Sequence, residues 1–285
     1  MWLTQCREPR GPQMISSFLS CLSLLLGLTC LLVPSLGSAQ AAPVQVTFQL
    51  KERITLHEPV VLLFKVHNAS MQDAVLDLGV AKTQFFHFSL KKPNGATVQN
   101  EPLYAEGFYP SGKVIISAGG NYEQDLVLNQ WFEFDSTGQY SLAAQLKAHV
   151  DATEIGNPEP EQISFEIEDR SPERLKKICA DLVERVKLAP NAEAAQAPAL
   201  LLSYVRDPIA IPYLSQLLNA RKLVEKAGIS GLERICTKDS VEELISALNS
   251  QYGDTSDLAR EALKRILRRS SDPVLKQTIR SAGVT

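Results

Sequence analysis

The polar and apolar residues follow two different rules along this chain. VQVTFQLK, residues 44 to 51, alternates strictly, with Val44, Val46, Phe48 and Leu50 on one face and Gln45, Thr47, Gln49 and Lys51 on the other. That is the pattern of a half-buried strand. Further strand candidates follow at 60–68, 74–78, 85–92, 113–117, 122–128, 140–147 and 163–169. Gly, Pro, Asn and Ser clusters such as Pro93-Asn94-Gly95 and Gly119-Gly120-Asn121 separate them. After Asp169 the alternation stops. SPERLKKICADLVERVKL places Leu175, Ile178, Cys179, Leu182, Val183 and Val186 on one face at a period of 3.6, behind a Ser-Pro start that caps a helix.

The expected fold class is therefore multidomain β + α. The strand-rich segment predicts an antiparallel β-sandwich over 42–169, and the helical segment covers 170–285. Within the first, Ser136-Thr137-Gly138-Gln139-Tyr140-Ser141-Leu142 resembles the corner before strand F of immunoglobulin-like domains. There a tyrosine phenol bonds back to the backbone, and Tyr140 stands in that place. The pattern departs from the antibody type, because Leu142 occupies the position of the second cysteine. Phe132 and Phe134 are expected in the core of this corner, with Trp131 offset to the other side.

In the second segment ALLLSYVRDP, GLERICTKDS and ALKRILRRSSDP align on a small residue, a leucine and an aspartate. Asp207, Asp239 and Asp272 recur at intervals of 32 and 33. Each aspartate is expected to cap the helix that follows, and Ser240 with Glu243 fits a capping box. The repeats, notably Asp207-Pro208-Ile209-Ala210-Ile211-Pro212-Tyr213-Leu214, resemble HEAT-type helical repeats. The resemblance implies a short α-helical solenoid used for protein binding. Gly228 and Gly231 fall in one helix, which calls for close packing or a helix break there.

Charge and targeting signals sharpen this outline. The net charge is −3 over 285 residues, but 42–169 carries 8 Lys+Arg against 17 Asp+Glu, and 170–285 carries 19 against 14. The halves differ in sign, which allows them to attract one another or to face different partners. No charged residue occurs from Gly11 to Leu50. Arg7 and Arg10 precede the apolar run Ile15 to Val33, and Ala39-Gln40-Ala41 follows it. These are the parts of a secretory signal peptide over 1–41, so the chain is expected to be exported, periplasmic or secreted, with an uncleaved membrane anchor as the alternative. Export permits a disulfide between Cys179 and Cys236, although each follows an isoleucine in a helical pattern, as small buried cysteines do.

Catalytic motifs are not found. There is no G-x-S-x-G, C-x-x-C or G-x-G-x-x-G, and no complete G-x-x-x-x-G-K-[ST]. His57-Glu58-Pro59 does not open an H-E-x-x-H, and His67 and His87 lack a third ligand at metal spacing. Neither a cofactor nor a metal is expected, and the reading is non-enzymatic. Nucleic acid is disfavoured by export and by the acidic balance.

The candidate partner-binding residues are the loop aromatics Tyr104, Phe108 and Tyr109, the tryptophan Trp131, and the stripe Arg260, Lys264, Arg265 and Arg268. The aromatics could stack on carbohydrate or cover the end of the β-part. The basic stripe suits an anionic partner, the membrane surface or the acidic β-part, or else is a solvated helix face. A protein-binding adaptor is the leading expectation. A carbohydrate-binding module or a sandwich-type protease inhibitor is the alternative.

Overall fold

The computed structural model describes residues 44–50, 53–79, 83–100, 112–150, 153–156, 159–218, 224–250 and 253–285. The proposed signal segment, Tyr104, Phe108 and Tyr109 lie outside them. Ala42–Thr285 forms one compact unit. Among the described residues its strands all precede its α-helices, so the class is β + α.

The strands are β1 (Val44–Leu50), β2 (Arg53–Thr55), β3 (Val61–Asn68), β4 (Ala74–Asp77), β5 (Phe86–Lys91), β6 (Thr97–Gln99), β7 (Lys113–Ile116), β8 (Asn121–Val127), β9 (Gly138–Val150), β10 (Thr153–Gly156) and β11 (Glu161–Glu168). Among the described residues they form a three-stranded sheet, β1-β3-β8, and a larger one that runs β2-β11-β9-β4-β7, with β5, β6 and β10 attached through β9 and β5. The registers keep the alternation read from sequence. Phe48 pairs with Phe64, and Phe64 with Gln124, on the inner face, while Gln49 pairs with Leu63, and Leu63 with Asp125, on the outer one. Rings from both sheets meet between them: Phe64 lies 4.9 Å from Phe86 and 5.5 Å from Phe48.

One expectation needs correction. The larger sheet is mixed, because β2 runs parallel to β11. The chain leaves one sheet after Leu50 and enters the other at Arg53, and a strand that changes sheets over so few residues keeps its direction. Alternation reports a strand's faces and is silent about its neighbour's direction.

In the corner at 131–140 Phe132 and Phe134 are core as their spacing predicts, whereas Trp131 is not offset to the other side but packs against the same core. Phe132, Phe134 and Tyr140 are buried, and Trp131 is half-buried with its ring edge-on to Phe88 at 5.2 Å. The Tyr140 hydroxyl donates to the Ser136 carbonyl at 2.9 Å, so this buried phenol is satisfied.

The helices are α1 (Pro172–Leu188), α2 (Ala192–Ser203), α3 (Ile211–Leu218), α4 (Glu225–Ile235), α5 (Lys238–Ala247), α6 (Gly253–Arg269) and α7 (Pro273–Ser281). Ser171 caps α1 and Asp272 caps α7, each with proline at the first helical position. Asp207 caps a short 3-10 turn that leads into α3. Asp239 is not a cap. Thr237 and Ser240 form the reciprocal capping box of α5, which starts two residues earlier than the repeat spacing implied. Threonine and serine hydroxyls satisfy the first N–H groups as well as a carboxylate does.

Helices packed in sequence include α1 with α2, α3 with α4, and α5 with α6. Alternate helices also touch, α1-α3-α5-α7 on one side and α2-α4-α6 on the other. Helix α4 runs unbroken through its two glycines. A Cβ on Gly228 would lie 2.9 Å from the Leu214 carbonyl oxygen, and one on Gly231 would lie 2.5 Å from Leu214 Cδ2 and 3.1 Å from Ser203 Cα. Close packing is therefore the reason for both.

Candidate functional site

Polar contacts join β2 and the turn after it to the start of α1. The Thr55 hydroxyl donates to the Asp169 carbonyl at 2.7 Å and accepts from the Ser171 N–H at 2.8 Å. Arg174 reaches back to Glu58 at 2.9 Å and to the Arg53 carbonyl at 3.0 Å. Arg170 grips Asp207 with Nε and Nη2, at 2.5 and 2.9 Å, and Asp207 is 1% exposed. That guanidinium holds the Asp207 carboxyl below the usual carboxylate range, against the opposing effect of burial. His57 sits beside this pair in the left-handed region, at φ 73°. Burial lowers its pKa, Asp207 pulls it back up, and Arg170 and Arg206 lower it again.

Above this joint Val61 and Val127, on the outer face of the three-stranded sheet, belong to the same apolar cluster as the helices. Two grooves open there. The first, about 550 Å³, lies between that outer sheet face and helices α1 and α2. Val61, Leu63, Ile178, Leu182 and Leu201 supply its apolar surface, and Asp125, Asp181 and Arg185 its charges. Lys177 holds Asp181 at 2.6 Å, whereas Arg185 pairs with no carboxylate among the described residues. The second groove, about 740 Å³, lies between β8 and helices α2 and α4. An apolar patch with a charged rim on a preformed concave surface is the arrangement that interfaces and ligand clefts share.

No family model matches this chain, and no curated protein does. Solved structures are matched only at a distance. A β-glucosidase from Listeria innocua in complex with isofagomine shares 13% identity over 44% of this chain and 16% of its own, with a TM-score of 0.24. The putative ApaA protein from Bordetella pertussis shares 10% over 44% and 91%, with a TM-score of 0.26. A protein from Archaeoglobus fulgidus shares 13% over 44% and 95%, with a TM-score of 0.24. This chain thus spans about 16% of the β-glucosidase, and resemblance at this level carries no weight for fold or activity.

The residues singled out from sequence are not brought together. Trp131 lies against the sheet core. The basic stripe is on α6, and much of it serves the chain's own acids: Lys264 pairs with Glu261 at 3.0 Å, and Arg265 with Glu233 at 3.0 and 2.8 Å. Arg260 and Arg268 are exposed and without an ion-pair partner among the described residues. His67 bonds to Asn121 at 2.9 Å, and among the described residues no cluster has the ligands to hold a metal ion. Cys179 and Cys236 are both free thiols, and burial pushes the Cys179 thiol up to about 12.

One motif has a structural answer. Gly107 to Lys113 spells G-x-x-x-x-G-K, but Val114 follows, and Lys113 opens strand β7 where a phosphate-binding loop would need a hydroxyl and a helix. No helix among the described residues is long and apolar enough to cross a membrane. Sequence reading missed the grooves themselves, since Leu63 with Asp125 and Ile178 with Arg185 become neighbours only through tertiary packing. The one available signal was the spacing of Lys226, Ser230 and Arg234 at helical intervals of four.

Proposed function

We propose that this chain is an exported, non-enzymatic adaptor that binds a protein partner. In this reading it is built as an immunoglobulin-like sandwich followed by a short HEAT-like solenoid. The shared ring core of the two sheets and the Tyr140 staple support the first name. The two rows of alternate helices, α1-α3-α5-α7 and α2-α4-α6, support the second.

The observation that carries the function is the first groove. Its apolar surface and its charged rim come from both parts of the chain, and the ion pairs of Arg174 with Glu58 and Arg170 with Asp207 hold the joint beneath it. A partner seated there would meet a preorganised surface and lose little to loop ordering.

The test is site-specific cross-linking in the cells that make the protein. A photoreactive residue at the exposed rim position Gln49 is expected to give a discrete adduct, which Leu63→Arg abolishes. The same residue at Met71, exposed but remote from the groove, should give none. No adduct from Gln49, or an adduct indifferent to Leu63→Arg, would overturn the proposal.

A further inference from the structure

The second groove carries a different signature. Lys226, Ser230 and Arg234 form one stripe of α4 at spacings of four, facing Glu193 and Gln196 of α2, with Gln124 of β8 beside them. The Arg234 side chain is already fixed in place. Its Nη1 donates to both the carbonyl and the hydroxyl of Ser203 at 3.1 Å, and its guanidinium lies 4.1 Å from the Tyr204 ring centroid. Among the described residues no carboxylate pairs with it, and its Nε and Nη2 edge has no partner.

That edge holds a carboxylate in two other arginines of this molecule. Arg265 holds Glu233, and Arg170 holds Asp207, through Nε and Nη2 in each case. The side-on fork matches the two oxygens of a carboxylate. Burial weakens the hold of Arg234 on its proton, with Arg206 and Arg269 adding to the effect and Tyr204 and Glu233 opposing it. A second cation, Lys226, is exposed at the same groove, again with no partner among the described residues. Glu193 on the facing wall leaves the lining one positive charge in excess, which suits a singly charged group better than a phosphate dianion.

We infer that the groove between β8, α2 and α4 binds a carboxylate, received side-on by the free edge of Arg234, with Lys226 adding attraction from the rim and Ser230 and the two glutamines supplying neutral hydrogen bonds. The carboxylate comes either from a small organic acid or from an acidic side chain of a polypeptide. The inference does not depend on the protein-binding role of the first groove.

The full chain is titrated with sodium succinate by calorimetry. In parallel it is titrated with a fluorescent peptide of alternating threonine and glutamate, and with its threonine–glutamine counterpart, by anisotropy. Binding of succinate alone assigns a small acid, binding of the glutamate peptide alone assigns a polypeptide, and either supports the site if it depends on Arg234. Arg234→Gln is expected to weaken binding by about tenfold or more, as loss of charge-assisted hydrogen bonds does. Lys226→Gln should weaken it by only about twofold, as for an exposed pair.

If Arg234→Gln lowers the melting temperature sharply, Ser230→Glu replaces it. A carboxylate introduced one turn from Arg234 occupies the fork and must abolish binding in a folded protein. Failure of both acids to bind, equal binding of the glutamine peptide, or affinity unchanged in Arg234→Gln or Ser230→Glu would overturn the inference. Cross-linking from Gln49 is unaffected by either variant, so the two grooves are judged separately.

Discussion

Between the two sheets the space is filled by rings, whereas between α4 and its neighbours it is nearly closed. Phe48, Phe64, Phe86 and Phe88 stand within 6.5 Å of one another, centroid to centroid, in the successive pairs that link them. At Gly228 and Gly231 the backbone of α4 comes so near Leu214 and Ser203 that a single methyl group would collide. Sheets stack about 10 Å apart and need large side chains to bridge the gap. Helices can approach until their backbones limit them, and there the smallest residue wins. One contact therefore fails when atoms are removed, and the other when atoms are added.

The largest expected effect tests the first half of this contrast. Phe64 is fully buried and touches rings of both sheets, so Phe64→Ala should cost about 3–5 kcal/mol by chemical denaturation. A loss below about 1 kcal/mol would mean that the sheets collapse around the void and that the rings are not what spaces them. The joint between the two parts comes next. Asp207→Ala removes the partner of Arg170 and the cap on Ile209 N–H, and about 2–3 kcal/mol should be lost. The pair is worth less than a fully buried one because Arg170 is 45% exposed.

The second half of the contrast is sharpened by Gly228→Ala. Helix propensity favours alanine by about 1 kcal/mol, so on an open helix the change would stabilise. Here the new methyl meets the Leu214 carbonyl, a backbone atom that cannot swing away, and a net loss of about 1–2 kcal/mol is expected. A rise in melting temperature would show that α3 and α4 can separate at little cost. Within the sheets, Tyr140→Phe keeps the ring and removes only the bond to Ser136. About 1 kcal/mol should be lost, less than for any truncation of the ring core.

These regions were not equally legible in the sequence. Period-2 alternation assigned Phe48 to its face and placed Phe64 and Phe88 in strands, and the spacing of Phe132, Phe134 and Tyr140 located the corner, because these are local properties of the chain. The helix starts at Ser171 and Asp272 were legible for the same reason. Thr237 is masked in the sequence by an aspartate at the repeat interval two residues away. The parallel pairing of β2, the pairing of Glu233 with Arg265 and the free edge of Arg234 depend on residues 31 to over 100 positions apart. Nothing in a local pattern encodes them. An arginine with a partner and one without look alike in sequence, and only packing separates Arg265 from Arg234.

The smallest expected effect concerns the pH response of the joint. His57 has a lowered pKa, with burial the main cause, Asp207 opposing it, and Arg170 and Arg206 adding to it. Because the folded value lies below the unfolded one, the unfolded chain binds the proton first. Stability is therefore complete above the ordinary histidine range and falls as pH drops through it. His87, lowered by burial and by Lys147, acts in the same direction on the other side of the β-part. Asp207 acts lower still: its depressed pKa contributes stability that is lost as pH falls through the ordinary carboxylate range and below it. Two separate acid steps should appear in melting temperature against pH. His57→Asn, which suits the positive φ at that position, should flatten part of the first step, and adding His87→Asn should flatten the rest. The second step should persist in both variants and shrink in Asp207→Ala, with the lowered Glu261 carboxyl keeping part of it. A first step of unchanged size in the double variant would place its origin outside the histidines and remove His57 from the account of the joint.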